Sequence, residues 1–351
     1  MKISFIGYYG SNFGDLLMLN ALIDYYTEYY GQINIYTYGN FDNLYNSFLS
    51  NTHLNKIKIF GLSGRDKINY AQFIKSLKGS KYLIWGGGTC FMDQGGTGGV
   101  KFMLGANFFK IPVLYLGIGI DSHFKLKTKL LVFLSVFVSK SLYFRDLKSI
   151  EAANKLSFGM FDTKIRYVPD IANIKEIQDE IISDNYIIFC CRDLAAYPKL
   201  NNEKVNHDLA LLAVKICKQL GFNKIVNLIC DAEIDEDQGK KAITVFLQNG
   251  IDVDTIYGSE IDKSLIAIKN SKFVITSRLH PAVIAQNLNI PYSLYNYSDK
   301  NKKFVEEVNE QARLICRYNI NKHIADFQNL QKNNLDRVKE EIQSVLVKYI
   351  K

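Results

Sequence analysis

Short apolar segments alternate with amphipathic segments along the whole chain. The apolar segments are rich in β-branched and aromatic residues, which predicts buried strands, and the segments between them show the spacing of helices. The pattern is typical of parallel α/β layers. The strands predicted in the first half are Lys2–Gly7, Ile33–Tyr38, Lys56–Phe60, Tyr82–Trp85, Val113–Gly117 and Leu142–Phe144. Those predicted in the second half are Tyr186–Cys191, Lys224–Cys230, Thr255–Tyr257, Phe273–Thr276 and Tyr292–Tyr295.

The pattern stops once, at the polar segment Asp170–Asn185, where we predict a linker. A chain of 351 residues is long enough for two domains at about 150 residues each. The predicted fold is therefore α/β, with two doubly wound Rossmann-like domains, residues 1–172 and 185–330, facing a cleft. Residues 331–351 are predicted to form a C-terminal amphipathic helix, with Leu335, Val338, Ile342, Val345 and Leu346 on one face.

Composition excludes several classes of protein. The chain is 48% hydrophobic and 22% charged, as in globular proteins, and its six cysteines are too sparse for a disulfide scaffold. The first residues predict a buried strand and no signal peptide, and the longest apolar run, Leu130–Val138, is too short to span a bilayer. We therefore expect a cytoplasmic protein with reduced thiols.

The net charge of +8 is unevenly distributed, since residues 101–150 hold eight basic and two acidic residues. Lys125, Lys127, Lys129 and Lys140 surround the apolar run, a combination that suits peripheral contact with the inner face of an anionic membrane. The alternative is a buried helix with solvated lysines at its ends. Nucleic acid is not an expected partner, because no nucleic-acid-binding motif accompanies the basic residues.

Two glycine-rich segments follow predicted strands of the first domain. In GYYGSNFGD, Asn12 and Asp15 stand where backbone amides at the start of a helix favour an anion or a sugar hydroxyl, although both residues also suit turn and cap roles. In WGGGTCFMDQGGTGG, which includes Gly86, Gly87 and Gly88, seven glycines predict a loop, either a lid over a ligand or a flexible connection. Neither segment has the spacing of a dinucleotide or Walker motif.

The most specific segment is TSRLHPAVIAQNLNIP, in which a strand ends just before Ser277, Arg278 and His280 and a helix begins near Pro281. A guanidinium, an imidazole and free backbone amides at one strand end suit a phosphate. Arg192 follows the first strand of the second domain and could reach the same place. Arg145 has the corresponding position in the first domain, where its neighbour Asp146 could simply pair with it.

Two acidic groups are not expected to bind metal. Asp252 and Asp254 form a DxD that leads into a strand, and the run from Asp231 to Asp237 is interpreted as a solvated loop. No His or Cys cluster has the spacing of metal ligands, so neither a metal nor another cofactor is predicted.

Taken in order, GYYGSNFGD, WGGG, YFRDLKS, VPDIA, SRLH and YSDK resemble the polysaccharide pyruvyltransferase family across most of the chain. The sequence departs from the family pattern at Leu16, where an acidic residue is usual, and in its unusually glycine-rich loop after Asp93. Both departures lie on the side expected to bind the acceptor.

The resemblance implies a GT-B-like fold and transfer of pyruvate from phosphoenolpyruvate to a sugar, as a ketal, with release of phosphate. The acceptor would be a sugar of a cell-surface polysaccharide or a lipid-linked oligosaccharide, bound near Asn12, Asp15 and Gly86–Gly88. Arg192 and Arg278 would grip the two anionic groups of the donor in bidentate fashion, and Lys300 of YSDK would add charge at the phosphate. His280 would act as general acid and base. The alternatives are a GT-B glycosyltransferase that uses a nucleotide sugar and a non-catalytic carbohydrate-binding protein.

Overall fold

The computed structural model describes residues 1–48, 54–93, 96–120, 125–177, 185–323 and 335–350. These residues form two compact units. Unit 1 comprises residues 1–10, 15–175 and 336–351, and unit 2 comprises residues 11–14 and 176–335. Of the predicted linker, residues 178–184 lie outside the described residues, as do residues 331–334 of the predicted C-terminal segment.

Unit 1 is built on a parallel sheet of seven strands in the order β3-β2-β1-β4-β5-β6-β7. Its five inner strands are almost entirely buried, as expected for a parallel sheet covered by helices on both faces, whereas the edge strands β3 and β7 are partly exposed. The strands are β1 (Lys2–Gly7), β2 (Gln32–Thr37), β3 (Ile57–Gly61), β4 (Ser80–Phe91), β5 (Val113–Ile120), β6 (Ser141–Phe144) and β7 (Ile165–Tyr167). The helices are α1 (Phe13–Thr27), α2 (Phe41–Phe48), α3 (Tyr70–Leu77), α4 (Val100–Phe108), α5 (Leu126–Val138) and α6 (Leu147–Leu156).

Unit 2 repeats the doubly wound order on a parallel sheet of six strands, β10-β9-β8-β11-β12-β13. In both sheets the first strand of the unit is third from one edge, and the direction of winding reverses beside it. Each sheet therefore has a topological switch point next to its first strand. The strands are β8 (Ile187–Cys190), β9 (Lys224–Ile229), β10 (Asp252–Tyr257), β11 (Val274–Thr276), β12 (Tyr292–Tyr295) and β13 (Leu314–Ile315). The helices are α7 (Asn202–Gln219), α8 (Ala232–Gln248), α9 (Ile261–Asn270), α10 (Leu279–Asn287) and α11 (Asp299–Glu307).

The predicted amphipathic C-terminal helix is present as α12 (Leu335–Leu346), and residues 336–351 cluster with unit 1. Ile342 and Leu346 on its inner face are buried. The Tyr26 and Tyr30 hydroxyls of α1 donate hydrogen bonds to the carbonyl oxygens of Leu346 and Tyr349, at 3.2 and 2.7 Å. This helix is therefore part of the core of unit 1.

The prediction of a loop from Trp85 to Gly99 is wrong in its first half. Strand β4 continues through Gly86–Gly88 to Phe91, and Gly88 pairs with Ile118 of β5. Gly87 and Gly88 have φ of 80° and 79°, a backbone conformation that residues other than glycine rarely adopt. A Cβ on Gly87 would also lie 2.3 Å from the sulfur of Met18 in α1. The glycines thus allow a strand with unusual dihedrals to pass directly under a helix.

In the part of the chain that the structure describes, no helix is long and apolar enough to cross a membrane.

Candidate active site

The switch point of unit 2 brings two predicted site residues to neighbouring strand ends. Strands β8 and β11 are adjacent and pair Cys190 with Thr276. Arg192 follows Cys190 by two positions, and Arg278 follows Thr276 by two positions, so the arginines leave the same edge of the sheet side by side. Ligands of doubly wound folds bind at this edge.

The turn after β11 is fixed by its own backbone and by Thr276. The Thr276 hydroxyl accepts a hydrogen bond from the Arg278 amide and donates one to the Arg278 carbonyl, each at 2.9 Å. The Ser277 amide donates to the Cys190 carbonyl at 2.9 Å, and Ser277 is fully buried. Helix α10 begins at Leu279, two residues before the predicted start, which places His280 in its first turn.

Arg278 is buried and paired with Asp235 of α8. Its Nε and Nη2 donate to the two carboxylate oxygens of Asp235 at 2.7 and 2.6 Å, and Asp231 lies 3.9 Å from Nη2. Burial opposes the charge, but the Asp235 carboxylate outweighs it and raises the pKa of Arg278 above its ordinary value. The bidentate edge of Arg278 is thus taken by Asp235, which leaves the Nη1 side of the guanidinium as the part that could meet a ligand.

The interpretation of residues 231–237 as a solvated loop is therefore wrong. Asp231 is the N-cap residue of α8, and the residues after it form the first turns of this helix. Asp231 and Asp235 are both buried, whereas Asp237 is exposed. Two acids four positions apart share one face of a helix, and this face is turned toward Arg278.

A second cluster surrounds the phenol of Tyr297, which is buried after β12. Arg192 Nη1 donates to the Tyr297 hydroxyl at 3.2 Å, and the guanidinium carbon lies 5.0 Å from the centre of the ring. Lys300 Nζ lies 5.4 Å from the same centre. Burial favours the neutral phenol, but the charges of Lys300, Arg192 and Arg278 outweigh it and lower the pKa of Tyr297.

For Lys300, burial and the neighbouring positive charges act in the same direction. Burial lowers its pKa, the neighbouring charges of Arg192 and Arg278 add to this effect, and Tyr297 acts against it. Arg278 is paired with Asp235, so the repulsion that remains near the buried phenol is chiefly that between Arg192 and Lys300, and an anion would relieve it.

His280 lies against the backbone of Gly14. Both residues belong to unit 2, because residues 11–14 cluster with that unit. A Cβ on Gly14 would lie 1.8 Å from His280 Nδ1, so only glycine leaves room for the imidazole. The segment is tied down by Ser11, whose hydroxyl donates to Asp231 at 2.6 Å, and by the Phe13 amide, which donates to the Cys230 carbonyl at 2.7 Å. The Asn12 side chain accepts from the Gly14 amide at 2.9 Å, which is the capping role.

The remaining predicted residues lie in unit 1. A Cβ on Gly88 would lie 3.0 Å from the Asp15 carboxylate, so Asp15 stands beside the glycine segment of β4. Arg145 forms an ion pair with Asp170 at 2.8 Å and donates to the Thr89 hydroxyl at 3.3 Å. Asp15 and Arg145 both lie at the carboxyl edge of the sheet. Arg145 forms an ion pair, as its position in the sequence also suggested, but its partner is Asp170 and not Asp146.

Asp235 and Tyr297 are the two site residues that sequence reasoning missed. A signal existed for each: a buried arginine requires a carboxylate partner, and Tyr297 begins the YSDK motif that supplied Lys300. Among the described residues, no group of three or more His, Cys, Asp or Glu side chains could hold a metal ion. Asp252 and Asp254 stand on β10 at the edge of its sheet, and Asp254 pairs with Lys224 at 2.9 Å.

The sequence profile of the family described as "Polysaccharide pyruvyl transferase" matches residues 12–299, which include Arg278 with Asp235 and, of the second cluster, Arg192 and Tyr297, and which end one residue before Lys300. The chain belongs to this family. The resemblance seen in the motifs is thereby confirmed, and membership of the polysaccharide pyruvyl transferase family implies a transferase that has a pyruvate donor and a sugar acceptor. No curated protein matches this family member significantly in sequence.

Several solved structures share the fold of this pyruvyl transferase family member. The UDP-GlcNAc 2-epimerase from Methanocaldococcus jannaschii has a TM-score of 0.63 at 15% identity, covering 99% of this chain and 100% of its own. Anabaena Alr3699/HepE, solved with UDP and glucose, has a TM-score of 0.59 at 13% identity, covering 100% of this chain and 95% of its own. MurG from Acinetobacter baumannii has a TM-score of 0.54 at 10% identity, covering 99% of each chain. These similarities confirm the predicted GT-B-like α/β fold with two parallel sheets.

Proposed function

We propose that the protein transfers pyruvate from phosphoenolpyruvate to a sugar of a cell-surface polysaccharide or of its lipid-linked precursor, forming a cyclic ketal. The observation that carries this proposal is the meeting of cations at Tyr297, near the switch point of unit 2. Arg192 Nη1 lies 3.2 Å from the Tyr297 hydroxyl, Lys300 Nζ lies 5.4 Å from the ring centre, and the charge of Arg278 acts on the same phenol. Phosphoenolpyruvate has a phosphate and a carboxylate on adjacent positions, and these two anions suit such a set of cations.

The proposed reaction begins when a proton is added to the methylene carbon of phosphoenolpyruvate, which leaves an oxocarbenium-like centre at C2. One sugar hydroxyl bonds to C2 and loses its proton. The bond from C2 to the phosphate oxygen then breaks, phosphate leaves, and a second hydroxyl bonds to C2 and loses its proton. The cations stabilise the phosphate as it departs, and His280, in the first turn of α10, is the proposed group that supplies and removes protons.

On the acceptor side we propose Asp15, the strand segment Gly86–Gly88 and Arg145 of unit 1, with Asn12 positioning the segment that meets His280. The Asp15 carboxylate accepts hydrogen bonds and the Arg145 guanidinium donates them, and a polyhydroxylated sugar requires both kinds. The glycine segment leaves space beside Asp15 that a side chain at Gly88 would fill. Arg145 is already paired with Asp170, so a sugar would bind to the pair and would not have to desolvate a single charge.

The test uses the purified protein with phosphoenolpyruvate and galactose-, glucose- or mannosamine-type acceptors, and measures phosphate release. Arg278→Ala should abolish release, whereas Arg317→Ala, which removes an exposed arginine of the same unit, should leave it unchanged. Because Arg278 is buried, Lys300→Met, which removes a half-buried charge, is measured beside it. Release that is unchanged in both site variants would overturn the assignment.

Two further measurements distinguish the alternatives. A glycosyltransferase would be stabilised against heat by a nucleotide sugar and not by phosphoenolpyruvate, and the proposal expects the reverse. A non-catalytic carbohydrate-binding protein would retain its cellular role when His280 is replaced by alanine, whereas an enzyme should lose about 10²-fold or more of its turnover.

A further inference from the structure

Helix α5 of unit 1 exposes an apolar stripe. Thr128, Val132, Ser135 and Val136 on its inner side are buried. Leu126, Leu130, Phe133 and Phe137 recur at intervals of four, three and four residues and therefore share the outer side. The exposed fractions of Leu126, Leu130 and Phe137 are 82%, 56% and 59%.

The apolar surface continues into the turn after α6. Phe161 packs against Phe133 and Phe137, with ring centres 6.5 and 6.1 Å apart. In the same turn, Phe158 is 81% exposed and Met160 is 61% exposed. Phe158 also has φ of 54°, an unfavourable region for an aromatic residue, so the turn holds a large apolar side chain in solvent with strained backbone. We call α5 and residues 158–161 together the α5 patch.

Basic residues border the α5 patch. On the helix, Lys127 and Lys129 lie on opposite sides of the stripe, and both are exposed. At its other end, Lys164 Nζ donates to the Phe137 carbonyl at 3.0 Å and lies 5.0 Å from the centre of the Phe161 ring. Residues 125–166 contain nine basic and three acidic residues, of which Asp146 is engaged in capping α6.

We propose that the α5 patch rests on the surface of an anionic lipid bilayer. Apolar side chains would enter the boundary between headgroups and acyl chains, while the lysines on both sides would meet anionic headgroups. A second copy of the chain fits less well, because a symmetric interface through the stripe would bring the lysines of one copy toward those of the other. The proposal does not depend on the chemistry assigned to unit 2.

The test is sedimentation of the full chain with vesicles of phosphatidylcholine alone or with added phosphatidylglycerol. We expect binding to the anionic vesicles and little to the neutral ones. Leu126→Ser/Leu130→Ser removes the two exposed leucines of the stripe, and Lys127→Glu/Lys129→Glu reverses the charge beside them. Each double variant should weaken binding by about tenfold or more.

The matched control is Leu211→Ser/Leu247→Ser, which replaces two exposed leucines of unit 2 and should bind as the unchanged protein does. Circular dichroism and the elution volume in gel filtration are measured for every variant. The proposal is overturned if the protein does not bind anionic vesicles, if both patch variants bind normally, or if the leucine variant converts a dimer into a monomer. The last result would show that a second copy covers the patch.

Discussion

The Nε and Nη2 atoms of Arg278 are bonded to both carboxylate oxygens of Asp235, a residue that lies 43 positions earlier on a different helix. The two side chains are nearly inaccessible to solvent, at 7% and 1% exposure. The orientation of the guanidinium is therefore set by α8, and Asp235 acts on any ligand of Arg278 through this arginine.

Replacing Asp235 with asparagine should leave the buried Arg278 without its bidentate charge partner, because Asp231 lies 3.9 Å from Nη2, beyond hydrogen-bond distance. We expect a loss of about 3–5 kcal/mol in the free energy of unfolding and a large fall in phosphate release. Urea denaturation and the phosphate assay measure the two effects. Asp237→Asn, a change of an exposed acid on the same helix, should alter neither, and equal losses in both variants would contradict the role of the pair.

Gly14→Ala should force the His280 ring from its place, because the new Cβ would lie 1.8 Å from Nδ1. Turnover should fall about 10²-fold, since displacement of a reacting group by about 1 Å has such an effect. Gly31→Ala is the control, because a Cβ at Gly31 meets no atom within 4 Å.

A second step separates displacement of the ring from general damage. If the contact with His280 causes the loss of thermal stability, then Gly14→Ala should be less destabilising when His280 is already alanine. The double-mutant cycle, measured as melting temperatures, should therefore deviate from additivity. Additive losses would show that the methyl group acts elsewhere.

Tyr297 should ionise at a lower pH than the other buried tyrosines, because Lys300, Arg192 and Arg278 outweigh the effect of burial and lower its pKa. Burial is the largest effect on Tyr36 and Tyr292, and it raises the pKa of both. An ultraviolet titration of phenolate should show one early transition that disappears in Tyr297→Phe. Tyr197→Phe, which changes the ring packed beside Tyr297 at 5.0 Å, should retain it.

Ile342→Ala should destabilise unit 1 by about 2–5 kcal/mol, the usual effect of truncating a fully buried isoleucine. Ile342 is completely buried on α12. The variant is compared by urea denaturation with Val347→Ala, whose side chain is 45% exposed and should contribute little. A normal midpoint for Ile342→Ala would mean that α12 does not stabilise the unit.

Most of the fold was predictable from the sequence because parallel strands buried on both faces leave continuous apolar runs. Strands Lys2–Gly7 and Tyr292–Tyr295 have the predicted bounds. The short strands Ile165–Tyr167 and Leu314–Ile315 were missed, since two or three residues show no periodicity. Strand β4 was cut short in the prediction because glycine usually marks a turn, whereas here it allows close packing.

The site was predictable where a residue follows a strand, since the position fixes its place at the sheet edge; Arg192 and Arg278 are examples. Contacts between distant segments were not predictable. Nothing in the local pattern shows that Asp235 faces Arg278 or that Gly14 touches His280, because sheet pairing and helix packing decide both. The order of the strands within each sheet determines these contacts, and that order is known only from the structure.

The contacts of Leu346 and Tyr349 with α1 have a consequence for biosynthesis. The hydroxyls of Tyr26 and Tyr30 find their acceptors at Leu346 and Tyr349, more than 300 positions away. The ribosome must therefore translate unit 2 before the folding of unit 1 can be completed. Until then, one side of α1 in the nascent chain is uncovered. During that interval, chaperones would meet the apolar surface that α12 later covers.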